Sequence, residues 1–479
     1  MARRRVGIPL LAGAAVAGAG AALRDSARRH RLRRTARVWR LTARRSAHWG
    51  VVKVRGARAS EEQRARLEQQ FAIRTAEDVA RELGNMKGAI MKAGQMISFI
   101  AEGLPPEAQA ALATLQADVP PMAPSLAERV IREELGDEPD RLFLDWNPVP
   151  VAAASIGQVH RAVLRDGREV AVKVQYPGVD QAIKSDLDNA EMLYAMFSAL
   201  AMKNLDVKGL VDELRARMVD ELDYTHEARC QSEIGAIYRG HPFIHVPDVV
   251  PERSARRVLT SEWIEGMRWE DFLEQSTPET RQRAAEVLFR FAQGSIHGNG
   301  VFNGDPHPGN YRFHRDGSVT FLDFGLVKRW SAGELEQLSP VLDSLLAQDA
   351  QGTTDALVSA GFLPRDHGHD ASKVWEYVSG PYVPFLTDSF AYTREWTGNA
   401  LGRLLDINGP YSDIIHSLNM PTSFVILDRV VWGMSALLGR MGADNCWRAI
   451  LAEYREGAAP ATELGRVEAA WRESRRAAP

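Results

Sequence analysis

The sequence predicts an α+β protein built as two lobes. Three observations carry this. The chain has 479 residues, and a single hydrophobic core stops growing near roughly 250–300 residues. The apolar period is helical up to about residue 136, alternates between Val149 and Gln175, and is mostly helical again beyond Glu279. Strands therefore come first and helices later, with few residues between, which is the arrangement of a two-lobed α+β chain. No internal repeat is present.

Composition narrows the class. Hydrophobic residues make up 45% and charged residues 25% of the chain, which excludes a mostly disordered protein. Two cysteines, Cys230 and Cys446, exclude a disulfide scaffold and a zinc ribbon and fit a reducing compartment. The net charge of −3 hides an asymmetry. Residues 1–58 hold 16 Lys/Arg against the single acid Asp25, whereas the other 421 residues hold 43 bases against 61 acids.

The basic head (1–58) carries an apolar run from Val6 to Leu23, flanked by arginines on both sides. Eleven of those 18 residues are Ala or Gly, so the run is close to the ~20 residues that span a bilayer but only weakly apolar. Small residues at Ala14, Gly18 and Ala22 could let two helices approach. Ala19-Gly20-Ala21 also reads as a signal-peptide cleavage site, although the chemistry of the later loops argues against export. Three readings stand: an anchor whose arginines meet anionic lipid, a loosely helical tail, and a nucleic-acid arm. A basic tail without a reading motif is poor support for the last. The expectation is the cytoplasmic face of a membrane, or the cytoplasm if the head is only a tail.

Each later element has its own signal. Residues 59–147 form a helical extension, broken at Leu104-Pro105-Pro106 and at Pro120-Pro121. Ser125, with Glu128 three residues on, predicts a capped helix ending near Gly136. Val149–Val163 and Arg168–Gln175 predict two strands joined by a turn at Asp166-Gly167. Helices are predicted at about 179–202 and 208–239, and a β region over Val246–Trp263. Ala284, Val287, Leu288, Phe291, Ala292 and Ser295 share one helical face between Glu279 and Asn299. Val319–Leu322 predicts a strand, and the remainder is mostly helical with a polar terminal tail. The predicted lobes are 148–266 and 267–479.

The chemistry sits in two loops. Asn303-Gly304-Asp305-Pro306-His307-Pro308-Gly309-Asn310 precedes the 319–322 strand, and Asp323-Phe324-Gly325 follows it. Asp and Asn five residues apart, then Asp-Phe-Gly, is the order of kinase active sites. Asn310 and Asp323 offer the hard oxygens that Mg²⁺ takes alongside phosphate, and Asp305 is then free to face the acceptor or attacking oxygen. Lys173 lies in the apolar strand Val170–Val174, where a lysine needs a partner. Phosphate oxygens of ATP and the carboxylate of Glu227 would serve. The loop before it reads Ala152-Ala153-Ala154-Ser155-Ile156-Gly157, with alanines where protein kinases carry glycines. It should be stiffer than a glycine loop and hold phosphate differently. Backbone at Glu262 and Ile264, in the linker between lobes, is placed to meet adenine. His307 has no second His or Cys at ligand spacing and reads as structural. Cys230 reads as packing, and so does the stripe Val425, Ile426, Val430, Val431 and Trp432, unless it lines a lipid-facing groove.

These motifs together resemble the UbiB-type (AarF-domain) atypical kinase-like family. The resemblance rests on Lys92, Gly94 and Gln95 as a Lys-x-Gly-Gln motif, the alanine-rich loop, Glu221 and Asp223 as a Glu-x-Asp motif, and the Asp305–Asn310 run. It covers about residues 80–345. It implies a bilobal protein-kinase-like fold in which Lys92 and Gln95 meet Glu221 and Asp223 and occupy the space of a peptide substrate. Residues two apart on a straight helix lie about 200° apart. The helix is therefore irregular near Glu221 and Asp223, or only one of these acids meets Lys92. Asn303-Gly304 stands where the family often has His-Ala. No Ala-Pro-Glu follows Gly325, and no long Ser/Thr-rich activation loop exists. The resemblance implies an ATP- and Mg²⁺-dependent kinase or ATPase serving isoprenoid-lipid or quinone metabolism at a membrane, with prenyl lipids or quinone-like molecules as partners and no specific nucleic acid. A nucleotide-gated scaffold without turnover, and a small-molecule or protein phosphotransferase, are the alternatives.

Overall fold

The computed structural model describes residues 122–154, 156–181, 221–405, 409–419 and 422–477. The basic head, the motif residues Lys92, Gly94 and Gln95, and Ser155 lie outside the described residues. So do the predicted helix at 179–202, apart from its first residues, and the start of that at 208–239.

Helix α1 (Pro124–Leu135) begins on Pro124, whose fixed φ and missing N–H suit the first helical position. Ala123 is the cap residue and no side chain caps the helix, so Ser125 is one residue inside the element it was expected to cap. The expected end holds: Gly136 turns left-handed (φ 84°) and donates to the Arg132 carbonyl. A short α2 (Pro139–Leu142) leads to β1 (Asp145–Trp146), β2 (Ala152–Ala154), β3 (Gly157–Val163) and β4 (Glu169–Gln175). After the gap come α3 (Tyr224–Ile237), β5 (Ile244–His245) and β6 (Val258–Glu262). The small-lobe sheet runs β1-β3-β4-β6, antiparallel throughout, with β2 folded onto β3. Residues 122–147, expected with the helical extension, are thus part of this lobe: β1 is a strand of its sheet, and Ala127, Val130 and Ile131 of α1 pack against Val170, Val172 and Val174 of β4. The period of two decides where Lys173 goes. With the three valines committed to α1, Lys173 is left on the opposite face.

The helix predicted over 208–239 is interrupted. Leu222 and Asp223 leave helical geometry, and Asp223 (φ −123°, ψ 92°) caps α3 by accepting from Thr225 N–H at 3.0 Å. Of the two alternatives, an irregular helix or a single acid meeting Lys92, the first is present here, and Lys92 itself lies outside the described residues. The far half of α3 belongs to the other lobe: Cys230, Ile234 and Tyr238 join a core with Phe291 and Phe321. β5 pairs in parallel with β9 of that lobe. The chain therefore enters the large lobe at α3 and returns for β6, rather than crossing once near residue 266.

The large lobe contains α4 (Trp269–Gln275), α5 (Pro278–Gln293), a π turn at Gly294–Asn299, β7 (Val301–Asn303), β8 (Tyr311–Phe313), β9 (Val319–Phe321) and β10 (Val327–Arg329). β7 pairs with β10, and β9 lies between β5 and β8. Then follow α6 (Glu334–Leu346), α7 (Ala350–Ser359), α8 (Ala371–Val378), β11 (Phe390–Ala391), α9 (Arg394–Leu405), α10 (Ser412–Ser417), α11 (Thr422–Met441), β12 (Asp444–Asn445), α12 (Trp447–Arg455) and α13 (Glu463–Ala477). The terminal segment, expected as a polar tail, is the docked helix α13. Trp471 packs edge-on against His241, 4.4 Å between ring centroids, and Arg475 donates to the carbonyls of Ala236 and Ile237 at the end of α3. No helix among the described residues is long and apolar enough to cross a membrane.

A buried ion cluster joins α5, α12 and α13. Arg290 is fully buried and reaches Glu286 (2.7 Å), Glu453 (2.8 Å) and Glu468 (3.2 Å). Burial alone would raise Glu468, but His241, Arg472, Tyr454 and Arg290 hold it down at about 2. Arg290→Met leaves these carboxylates without their shared counter-charge and is expected to destabilise the protein by about 3–5 kcal/mol, read from the denaturation midpoint. A depressed carboxylate stabilises the fold above its unfolded pKa of about 4.3. Stability should therefore fall as the pH drops from there toward 2, and Glu468→Gln should flatten that loss.

Candidate active site

Three elements bring the cleft together. β4 supplies Lys173, the first turn of α3 supplies Glu227, and the loop after β9 supplies Asp323. Lys173 Nζ donates to both carboxylate oxygens of Glu227 at 2.9 Å and lies 3.4 Å from Asp323 Oδ2. The Tyr224 ring lies beneath it, 5.0 Å from Nζ to the centroid, a cation–π contact. Burial works against the Lys173 charge, but Asp323 and Glu227 more than offset it and hold the ammonium protonated well above the ordinary lysine range. Asp323 Oδ1 accepts from Gly325 N–H at 3.1 Å, and Phe324 is fully buried, which fixes the turn.

Asn303 organises the second loop. Its Oδ1 accepts from Asp305 N–H at 2.9 Å, and its Nδ2 donates to the Asp323 carbonyl at 2.6 Å. One side chain thus sets Asp305 relative to Asp323. Gly304 is required by close approach: a Cβ there would lie 2.8 Å from Ile426 Cγ2 of α11. The departure from His-Ala to Asn303-Gly304 accordingly has a packing basis. Asn310 Nδ2 donates to Asp305 Oδ2 at 3.2 Å, leaving its side-chain Oδ1 for other ligands. Leu322 N–H bonds the Asn310 carbonyl at 2.9 Å, seating Asn310 beside the strand that ends at Asp323. Arg429 of α11 contacts Asp305 Oδ1 at 2.5 Å. Both oxygens of the Asp305 carboxylate are therefore engaged.

The donor set is hard: one carboxylate, Asp323, and one amide oxygen, Asn310. That suits Mg²⁺, which keeps one or two protein ligands and completes its shell with phosphate and water. Among the described residues no group of three or more His, Cys, Asp or Glu could hold a metal by itself. His307 is exposed, and its Nδ1 accepts from Gly309 N–H at 3.1 Å as a turn residue.

The alanine segment is a hairpin rather than a free loop. Ala152, Ala153 and Ala154 pair with Val159, Gln158 and Gly157. Gly157 crosses β4 so closely that a Cβ would lie 2.2 Å from the Val174 carbonyl oxygen. In the linker, Glu262 N–H is committed to the Asp248 carbonyl at 2.8 Å and its side chain to His245 at 3.0 Å. Ile264 N–H makes no hydrogen bond among the described residues. Asp223 also accepts from Thr225 Oγ1 at 2.6 Å, and the Glu221 carbonyl accepts from Gln175 Nε2 at 3.4 Å.

Sequence reasoning missed Asn303, Tyr224 and Arg429 as parts of this site. Arg429 had a signal: it is a charge inside the apolar stripe of α11, where Ile426, Val430 and Trp432 are buried as core. Cys230 is buried as packing. Asn303→Ala removes two hydrogen bonds and is expected to cost about 1–3 kcal/mol of stability in thermal unfolding. Asn303→Asp cannot donate to the Asp323 carbonyl and should not restore it.

A model of the ABC1 atypical kinase-like domain matches residues 114–357. The chain is 31% identical over 287 residues to the atypical kinase COQ8 of Saccharomyces cerevisiae mitochondria, covering 60% of this chain and 57% of that one. It is 31% identical over 364 residues to the chloroplast protein Activity of BC1 Complex Kinase 1 of Arabidopsis thaliana, covering 72% and 50%. The chain spans about half the length of the curated relatives it matches. Among solved structures, the Rv3197–erythromycin complex of Mycobacterium tuberculosis superposes with a TM-score of 0.60 at 31% identity, covering 83% of this chain and 98% of that one. With the kinase-like fold and the domain match over half its length, the chain belongs to the ABC1 atypical kinase-like family.

Proposed function

We propose that this protein is an ATP- and Mg²⁺-dependent atypical kinase or ATPase. One observation supports this most directly: a partly buried lysine, its helix carboxylate and the Asp-Phe-Gly aspartate meet at 2.9–3.4 Å beside the Asp305–Asn310 loop. Lys173, held by Glu227, is placed to take phosphate oxygens. Asn310 and Asp323 would hold Mg²⁺, which when bound neutralises charge developing on the phosphates. Ile264 N–H, without a hydrogen bond among the described residues, would donate to an adenine edge. Asp305 would orient the acceptor or attacking oxygen and take its proton. The acceptor is unassigned. The basic head would rest on anionic lipid. With the likeness to COQ8, the reading extends to isoprenoid-lipid or quinone metabolism at the cytoplasmic face of a membrane, with prenyl lipids or quinone-like molecules as partners.

The grip of Arg429 and Asn310 on Asp305 favours a second reading, a nucleotide-gated scaffold that does not turn over. The two readings separate by experiment. Mg²⁺-dependent nucleotide binding, measured by calorimetry, should be lost in Asp323→Asn with the fold intact by circular dichroism. Under the enzyme reading, purified protein consumes ATP, Asp305→Asn lowers the rate at least about 100-fold, in line with loss of a general base, and Arg429→Met changes the rate without abolishing nucleotide binding. Binding without any ATP consumption would establish the scaffold.

A further inference from the structure

The large lobe holds a cavity with about 50 Å³ open to the centre of a water-sized molecule, apart from the Lys173 cleft. A single water needs roughly 10–15 Å³ on this measure, so the space exceeds that of one water. Leu338 and Val341 of α6, Trp330 after β10, and Leu427 and Val431 of α11 give it apolar walls. Its polar lining side chains include Gln293, His297, Ser339, Tyr382 and Arg455.

Arg455, in the last turn of α12, sets the chemistry. Its side chain is only 9% exposed. Nη2 is paired with Asp343 at 2.6 Å. Nη1 is buried and has no hydrogen-bond partner among the described residues. Buried donors are nearly always paired, so an orphan one calls for a specific explanation. A guanidinium has only donors to offer, so its missing partner is an acceptor. His297 lies in the π turn, a type of distortion enriched at functional sites. Burial, followed by the Arg455 charge, lowers its pKa to about 4, so the imidazole is neutral near pH 7 and adds no second cation. Asp343 already balances the Arg455 charge.

We propose that this cavity binds a small amphiphile, with an apolar chain lying between α6 and α11 and a terminal acceptor oxygen, carbonyl or carboxylate, on Arg455 Nη1. The site does not depend on the reaction assigned to the cleft. A purely apolar ligand would leave Nη1 orphaned, and a cationic head would oppose Arg455 directly.

The test is calorimetric titration of the full chain, without nucleotide, using octanoate, 2-octanone and octylammonium. Octanoate, 2-octanone or both should bind once per chain, and octylammonium should not. The tighter of the two oxygen-bearing probes identifies the head as charged or neutral. Arg455→Met, which keeps the aliphatic stem, should weaken binding at least about tenfold, as expected for losing a hydrogen bond from a charged donor. Asp343→Asn, which disturbs Nη2 and leaves Nη1 in place, should stay within about threefold of the parent. Leu335→Trp, which fills the cavity from the start of α6, should abolish binding without touching Arg455, and so decides the matter if Arg455→Met fails to fold. The proposal is overturned if octylammonium binds as tightly as the other probes, or if none binds at millimolar concentration. It is also overturned if folded Arg455→Met or Leu335→Trp retains parental affinity, or if Asp343→Asn loses as much as Arg455→Met.

Discussion

A lysine on an otherwise valine-rich strand is the constraint around which the cleft is arranged. Once Val170, Val172 and Val174 are spent on the α1 core, alternation sends Lys173 to the other face, where it is only 19% exposed. An ammonium there is costly without counter-charge. Two carboxylates from two further elements meet it, and each must be held by its own scaffold. Glu227 is fixed by a helix that starts at a capped break, and Asp323 by a turn anchored on buried Phe324. The requirements of one charge thus propagate to the break at Leu222–Asp223, to the burial of Phe324, and through Asn303 to the position of Asp305.

Much of this was legible in the sequence. The alternation of β4, the turn at Asp166-Gly167, the end of α1 at Gly136 and the two loops are local signals, written in residues that act over a few positions. The spacing of Glu221 and Asp223 left either an irregular helix or a single acid meeting Lys92, and the break at Leu222–Asp223 is the former. What sequence did not give was the contribution of distant segments. Ser125 resembled a cap, but Pro124 at the adjacent position already fixed the helix start. The boundary between lobes was drawn once, because nothing local reveals that half of α3 packs on Phe291 and Phe321. Arg429 lies 124 residues from Asp305, and only the placement of α11 brings them together.

The alanine segment illustrates a different point. Its residues were expected to form a stiff loop, and instead Ala152–Ala154 form a strand paired to β3. The backbone of Ala152, Ala153 and Ala154 is engaged on one side by that pairing. Under the proposed function, any phosphate contact from Ala152–Ala154 would come from a paired hairpin edge rather than from a glycine flap.

The division of α3 between lobes has a mechanical consequence. Its N-terminal turn presents Glu227 to a lysine on the small-lobe sheet, while its C-terminal half is locked into the large-lobe core and fastened by α13. Rotation of one lobe away from the other pulls Nζ from its carboxylates. The helix thus acts as a strut between the lobes, with its ion pair at the small-lobe end and its packing at the large-lobe end.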